Sequence, residues 1–479
     1  MKRETIIGLE IHAELNTKSK MFCGCEATFG GAPNTKTCPV CLGHPGSLPV
    51  INREAIGDAI LLALALNCDI TQRSIFHRKN YFYPDMPKNF QISQYDIPLS
   101  HDGGLDIEMD GYTRRVGITR VHIEEDTGKS VHIGESGRIH GAEHSLEDFN
   151  RAGIPLVEIV TEPDLRNPDE ARAFLQMLRI TLEYLGISDC KMEEGSLRCD
   201  ANISIAVDGV MGTKVEIKNM NSFHALYHAL AFEEKRQRIA LDEGRKIVQE
   251  TRHWDNAAGK TSPLRSKEEA FDYRYFPEPD LVPIEPDSAW LEEIKARMPE
   301  LPAERLLRFE KEFGLSTEIA RTLIGEKAMA DYLEEAVACG QDPVALAKWI
   351  AGDFVAILKE TAAHIAACPL KPSGLSELVA LIEQKIISGK MAKEVMREAF
   401  ETGMSPRDIV GAKGLAQIAD GAEIESVVDE VIADNPDAAA DMREGKSQAL
   451  KFLMGQVMKR TKGKANPEMA SDLLRKKLK

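Results

Sequence analysis

Long apolar runs are missing from this 479-residue chain. The longest, around Ala59–Leu66, is short and alanine-rich, well below the roughly 18 residues that a membrane-spanning helix needs. A signal peptide is not expected either, because Met1–Thr5 run straight into a strand-like alternation. The nine cysteines are odd in number and unevenly spaced, which is not a disulfide framework. A reducing, cytoplasmic setting is therefore expected, with any close cysteine cluster read as metal-binding. Positive charge is in deficit: 60 Lys and Arg face 76 Asp and Glu, a net charge of -16 that argues against wrapping of nucleic acid by the whole chain. No internal repeat or low-complexity tract interrupts the sequence. Neither a G-x-S-x-G elbow nor an H-E-x-x-H helix is present, which removes the hydrolase readings those motifs carry. Gly128-Lys129-Ser130 lacks the first glycine of a phosphate-binding loop, since that position is Ile123.

What is present is ordinary for a folded protein, with 43% hydrophobic and 28% charged residues and a length suited to roughly two to four domains. Ile6–His12, Arg114–Glu124, Leu197–Ile205 and Lys214–Lys218 alternate with period two, as strands do. Asn167-Pro168-Asp169-Glu170 opens a helix that Gly186 closes, and another helix starts near Asn221/Ser222. This half reads as α+β with a largely antiparallel sheet. After Pro277, Pro279, Pro283 and Pro286 the strand signals fade. Helices are expected over Pro302–Phe313, Glu326–Cys339 and Pro343–Lys359, the last with Ile350, Phe354, Ile357 and Leu358 facing a core. The predicted domains are 1–292, 293–408 and 409–479. From Arg443 onward eleven basic residues stand against three acidic ones, a basic tail on an acidic body. Alone, such a tail reads as a solvated helix face more often than as a polyanion site.

Cys23-Gly24-Cys25, twelve residues, then Cys38-Pro39-Val40-Cys41 give four thiolates at zinc-ribbon spacing. Four sulfur ligands leave no open position, so a structural Zn²⁺ in a 23–41 loop is expected. Polar residues also line up on single strand faces: Glu10 with His12; Arg198, Asp200, Asn202 and Ser204; Glu216 with Lys218. A solvated sheet face is one reading. The other is a face that gathers carboxylates and a histidine around Mg²⁺, with Arg and Lys toward phosphate oxygens. Strand phase puts Glu124, not Glu125, on the face with Arg120 and His122, unless a bulge reverses it. Arg78–Asp85 with Lys88, Gln91–Tyr95, and Asp272–Pro277 interleave basic and aromatic residues, fit either for stacking a nucleotide or for plain loop packing.

Together these blocks, with Asn150–Pro155, Met192–Asn202, Glu216–Ser222, Leu453–Met458 and Lys462–Pro467, resemble the B subunits of glutamine-dependent aspartyl/glutamyl-tRNA amidotransferases. The resemblance covers nearly the whole chain. It implies an N-terminal cradle related in fold to glutamine synthetase, then an all-α middle domain and a small helical tail domain. It also implies an ATP-dependent carbon–nitrogen ligase, with ATP, Mg²⁺ and structural Zn²⁺. In a heterotrimer, the amidase A subunit would supply ammonia from glutamine, while a small C subunit would strap it to the B subunit. The B subunit would phosphorylate the side-chain carboxylate of misacylated Glu-tRNA(Gln) or Asp-tRNA(Asn), and ammonia would displace the phosphate. The implied Mg²⁺ ligands are Glu10, His12, Glu124 or Glu125, Asp200 and Glu216, with Arg198 and Lys218 facing the nucleotide. Glu10, Glu125, Asp200, Arg198 and Lys218 would be catalytic, and Lys79 and Lys88 would join the cofactor-binding set. Lys79, Lys88, Glu125 and Asp272 would line the ammonia path. Lys459, Arg460, Lys462 and Lys464 become expected tRNA phosphate contacts. Two competing readings are a non-catalytic zinc-bearing RNA-binding scaffold and a ligase that amidates a free small acid.

Overall fold

The computed structural model describes residues 2–134, 142–264, 273–415, 421–443, 447–461 and 465–478. The chain divides into two compact units, Met1–Pro302 and Ala303–Lys479. The first unit carries strands β1 (Arg3–Glu14), β2 (Asp69–Ile70), β3 (His77–Asn80), β4 (Phe90–Ser93), β5 (Ser100–Met109), β6 (Tyr112–Glu125) and β7 (Lys129–Ile133). These are followed by β8 (His144–Asp148), β9 (Pro155–Thr161), β10 (Leu197–Val207), β11 (Val215–Met220), β12 (Glu250–Asp255), β13 (Lys260–Pro263) and β14 (Phe276–Pro277). Nine of them form one sheet in the order β13-β12-β11-β10-β1-β9-β6-β5-β2. Every pairing in it is antiparallel except β11 with β12. A three-stranded sheet, β14-β3-β4, and the β7-β8 hairpin complete the unit.

Alternation decides which face is which. In β1 the residues Ile7, Leu9, Ile11 and Ala13 are buried, and the antiparallel register sets Ile11 opposite Cys199 and Ile159. That apolar face packs against α1 (Arg53–Ala65), α2 (Pro168–Leu185) and α3 (Phe223–Asp242). A one-residue slip would turn the whole apolar set outward, so burial fixes the register. The Asn167 side chain accepts from the Glu170 N–H to cap α2, and Gly186 ends it at φ 71°, a left-handed turn that glycine adopts without strain. Ser222 caps α3 in the same way through the Ala225 N–H. Phe174 of α2 is fully buried in this core. Phe174→Ala should therefore cost about 3–5 kcal/mol of stability, read as an earlier denaturant midpoint for the first unit. A fourth helix, α4 (Ser288–Lys295), lies on α1, with the Arg53 guanidinium 4.4 Å from the Trp290 ring centroid.

The described part of the second unit is helical. The expected stripe of Ile350, Phe354, Ile357 and Leu358 is buried, in a run that passes from Pro343–Trp349 through a π-helical turn at Ile350–Phe354 into Val355–Thr361. Its core also takes in Leu346, Leu375 and Val395. A separate cluster of Ile424, Val428, Val431, Leu453, Val457 and Leu474 joins the helices Gly421–Asp434, Ser447–Arg460 and Pro467–Lys477. No described helix is long and apolar enough to cross a membrane.

Candidate active site

The face of the large sheet opposite α1–α3 is polar at its centre. Antiparallel register on β10, β1, β9 and β6 sets His12 opposite both Arg198 and Glu158, Glu158 opposite His122, and Glu10 opposite Asp200. The His12 Nε2 atom lies 3.3 Å from Glu158 and 3.8 Å from Glu124, and His122 Nε2 lies 3.2 Å from the same Glu158 oxygen. One ligand atom from each of His12, Glu124 and Glu158 falls within 4.8 Å of the others, a spacing that suits a single cation. Ser93 donates to Glu124 at 2.9 Å and fixes its carboxylate.

The electrostatics express this crowding. Burial works against a charged His122 ring, but Glu158 and Glu124 outweigh it and push its pKa up to about 9. His12 is raised for the same reason, chiefly by Glu158 against burial. Burial would raise Glu124 and Glu158, yet the His122 and His12 rings hold both below the usual carboxylate range. Lys79, from β3, stands beside this group: burial opposes its charge, and Glu124 more than compensates, with help from Tyr275 and Glu158. Its Nζ sits 5.0 Å from the Tyr273 ring centroid.

Two further groups flank the centre. Lys218 Nζ contacts Asp200 at 2.5 Å and Glu216 at 3.5 Å, and its pKa is raised because these acids outweigh burial. Asn202 donates to Glu10 at 2.9 Å, and Thr251 donates to Glu216 at 2.7 Å. On the other flank Arg198 pairs with Asp126 at 2.7 Å, and Arg151 approaches the same oxygen at 3.6 Å. Burial favours the neutral acid, but Arg198 and then Arg151 hold Asp126 down to about 2. Burial, followed by Asp126, pushes Glu14 up to about 8. Glu124 and Glu125 point to opposite sides, as the pleat requires. Glu125 is ion-paired with Lys88 and accepts from the Ile92 N–H at 2.9 Å, apart from the His12 group. The irregularity in the β6–β9 pairing falls at Ile118/Arg120 and leaves the phase at Glu124 intact.

The sulfurs of Cys23, Cys25, Cys38 and Cys41 all lie within 4.8 Å of one another, and the Cys38–Cys41 pair is 3.9 Å apart. Tetrahedral zinc with 2.3 Å bonds needs an S–S edge of about 3.8 Å, so the donor set fits.

Residues 5–292 match the GatB/GatE catalytic domain. The chain belongs to the GatB family. Residues 331–478 match the GatB domain, so the family's sequence pattern extends through the helical unit. The B subunit of an aspartyl/glutamyl-tRNA(Asn/Gln) amidotransferase from Carboxydothermus hydrogenoformans is 52% identical over 477 residues, covering 99% of this chain and 98% of that one. Proteins of the same name from Caldanaerobacter subterraneus subsp. tengcongensis and Moorella thermoacetica are each 51% identical over 480 residues, with both chains covered in full. The resemblance drawn from the sequence blocks is thus correct at the level of the family.

Within this GatB chain the residues singled out by sequence fall into separate places. His12 and Glu124 come together, Glu10 joins Asp200, Glu216 and Lys218, and Arg198 goes to Asp126. Glu158 and Glu14 were not singled out by the sequence reading, and Asp126 stood out there only as the third acid of the run Glu124–Asp126. The only sequence trace of Glu158 is one charge inside the apolar run Leu156–Val160. In the tail Lys459 is exposed, while Arg460 pairs with Asp434 at 2.8 Å. Asp272, Lys462 and Lys464 lie outside the described residues.

Proposed function

We infer that the chain is the B subunit of a glutamine-dependent, tRNA-dependent amidotransferase, a ligase of translation that converts misacylated Asp-tRNA or Glu-tRNA into Asn-tRNA or Gln-tRNA. The observation that carries this reading is the end-to-end match to proteins of that name, in a chain whose open sheet face gathers acids, two histidines and three cations. A scaffold that only bound RNA would not need acids and histidines buried together.

A carboxylate does not react with ammonia, because the group to be expelled is oxide. Transfer of the ATP γ-phosphoryl group to the side-chain oxygen forms an acyl phosphate and ADP. Ammonia then attacks the carbonyl carbon, the C–O bond to phosphate breaks, and the amide and inorganic phosphate leave. Both reactants of the first step are anions, so the site must supply positive charge. His12, Glu124 and Glu158 would hold a divalent cation, with Glu10, Asp200 and Glu216 beside them. Bound Mg²⁺ would supply charge neutralisation between nucleotide and carboxylate. Lys218, steered by Asp200, and Arg198, steered by Asp126, would turn their donors to phosphoryl oxygens, and Lys79 would serve the nucleotide side. The pairing of Glu125 with Lys88 supports a place for both on the ammonia path rather than in the metal set. A nearby aromatic patch supports a further role for the cradle, stacking a nucleotide or the aminoacylated end of the tRNA. Tyr81 and Tyr83 stack at 4.7 Å, Tyr95 and Tyr275 at 4.3 Å, and Arg274 lies 5.7 Å from the exposed Phe82 ring.

The same reading assigns 1–292 to a cradle of the glutamine synthetase kind, 293–408 to the helical domain and 409–479 to the tRNA-binding tail. It places the protein in the cytoplasm, in a heterotrimer with the amidase and the small strap protein. Zn²⁺ on the four cysteines would be structural. Cys38→Ser should therefore lower zinc content and thermal stability before it lowers turnover, checked by metal analysis and a melting curve. The function is tested by reconstituting the complex and identifying the amino acid on the tRNA after reaction with glutamine and ATP. Conversion to the amide by wild type, lost in Glu10→Ala with tRNA binding kept, is the expected result. Unchanged conversion by Glu10→Ala would remove Glu10 from the site.

A further inference from the structure

Among the described residues Lys20 is the largest charged side chain fully removed from solvent, and nothing in the phosphorylation or amide-forming steps uses it. Its backbone N–H donates to the Cys25 carbonyl at 2.9 Å, which seats it under the first cysteine pair. Its side chain runs to the second pair, where Nζ lies 3.9 Å from the Cys41 sulfur and 3.2 Å from the Phe149 carbonyl oxygen. Among the described residues no carboxylate comes within ion-pair distance of that ammonium, and the neighbouring Glu125 is engaged by Lys88.

A buried ammonium without an anion costs several kcal/mol, so this lysine needs a negative partner. Cys41 is the only sulfur in contact with it among the described residues. Four thiolates around a divalent cation leave about two net negative charges, and Cys41, the one buried cysteine of the four, in turn needs a donor. We propose that Lys20 is the counter-charge of the four-cysteine centre, its ammonium donating to the Cys41 thiolate and setting how tightly the metal is held. This rests on the reading of the four cysteines as a zinc site.

The same lysine joins the centre to the sheet's reactive end. A Cβ placed on Gly153 would lie 3.4 Å from Lys20 Cδ, 3.5 Å from Cys41 Cβ and 3.9 Å from a Glu125 oxygen, so all three meet at one glycine with φ 90°. The loop between the cysteine pairs is tied to the same turn: Asn34 donates to the Glu147 carbonyl at 2.9 Å, and the Lys36 N–H to Asn150 at 2.8 Å.

The test uses the full chain loaded with zinc and follows release to a chromogenic chelator. Lys20→Met should release zinc about 10–100-fold faster than wild type, and Lys20→Arg should recover most of the retention. Melting of the zinc-free proteins supplies a second readout. There Lys20→Met should be more stable than wild type, because an uncompensated charge has been removed. A side chain that mattered only for packing would destabilise both forms alike. Equal release from Lys20→Met and a zinc-holding wild type would overturn the role of Lys20 alone. A wild-type chain that takes up no zinc would overturn the metal reading and this inference together.

Discussion

Glu158→Ala should lower amide formation on misacylated tRNA by roughly 10²–10³-fold, the size expected when preorganised charge stabilisation is lost from a phosphoryl-transfer site. The carboxylate lies between His12 and His122 at 3.3 and 3.2 Å, and both rings depend on it for their raised pKa values. Removing it takes away one of three clustered ligand atoms and leaves the half-buried His12 and buried His122 imidazoles short of a counter-charge. Glu158→Gln separates the two possible roles. A neutral amide keeps size and hydrogen bonding, so a packing residue would be rescued, whereas a cation ligand would not. The Mg²⁺ concentration for half-maximal rate should rise about tenfold or more in Glu158→Gln, with tRNA affinity unchanged. Near wild-type activity and Mg²⁺ dependence in Glu158→Gln would remove Glu158 from the metal set.

Asp200→Ala is the second large effect. Asp200 holds the Lys218 ammonium at 2.5 Å and, with Glu216, keeps it charged against burial. Without Asp200 the lysine loses its direction, and the face loses a carboxylate opposite Glu10. The rate constant should fall about 10²-fold, while tRNA binding at fixed salt stays within about threefold. Lys218→Met should show a similar loss, and the double variant little more than either single, since contacting residues are not additive. Independent losses that multiply would mean that the two residues act at different places.

The strand faces were legible because period-two alternation is a property of the strand alone. Ile7, Leu9 and Ile11 had to face away from Glu10 and His12, and they do. The α2 caps and the cysteine spacing were legible for the same local reason. Partnership across the sheet was not. Phase says which side a residue occupies but not which strand lies beside it, and only the order β10-β1-β9-β6 brings residues 12, 122 and 158 together. Arg198 was expected to share a purpose with Lys218, yet its partner is Asp126, 72 residues earlier and beyond the end of β6. Glu125 finds Lys88 from a loop whose path no periodicity describes. Glu14 and Lys20 gave no signal because what makes them unusual, the Asp126 carboxylate beside a half-buried Glu14 and the full burial of Lys20, exists only in the folded chain.

The central claim is that this chain carries the ATP-dependent activation of the tRNA-bound carboxylate. The most direct test is ADP formation by the complex reconstituted with its amidase and strap partners, Mg²⁺ and Glu-tRNA(Gln), with glutamine absent and then present. The account predicts ADP release that requires the misacylated tRNA and disappears in Asp200→Ala. Bound tRNA that yields neither ADP nor amidated product, even with glutamine, would make the chain a binding scaffold and contradict the assignment of the sheet face.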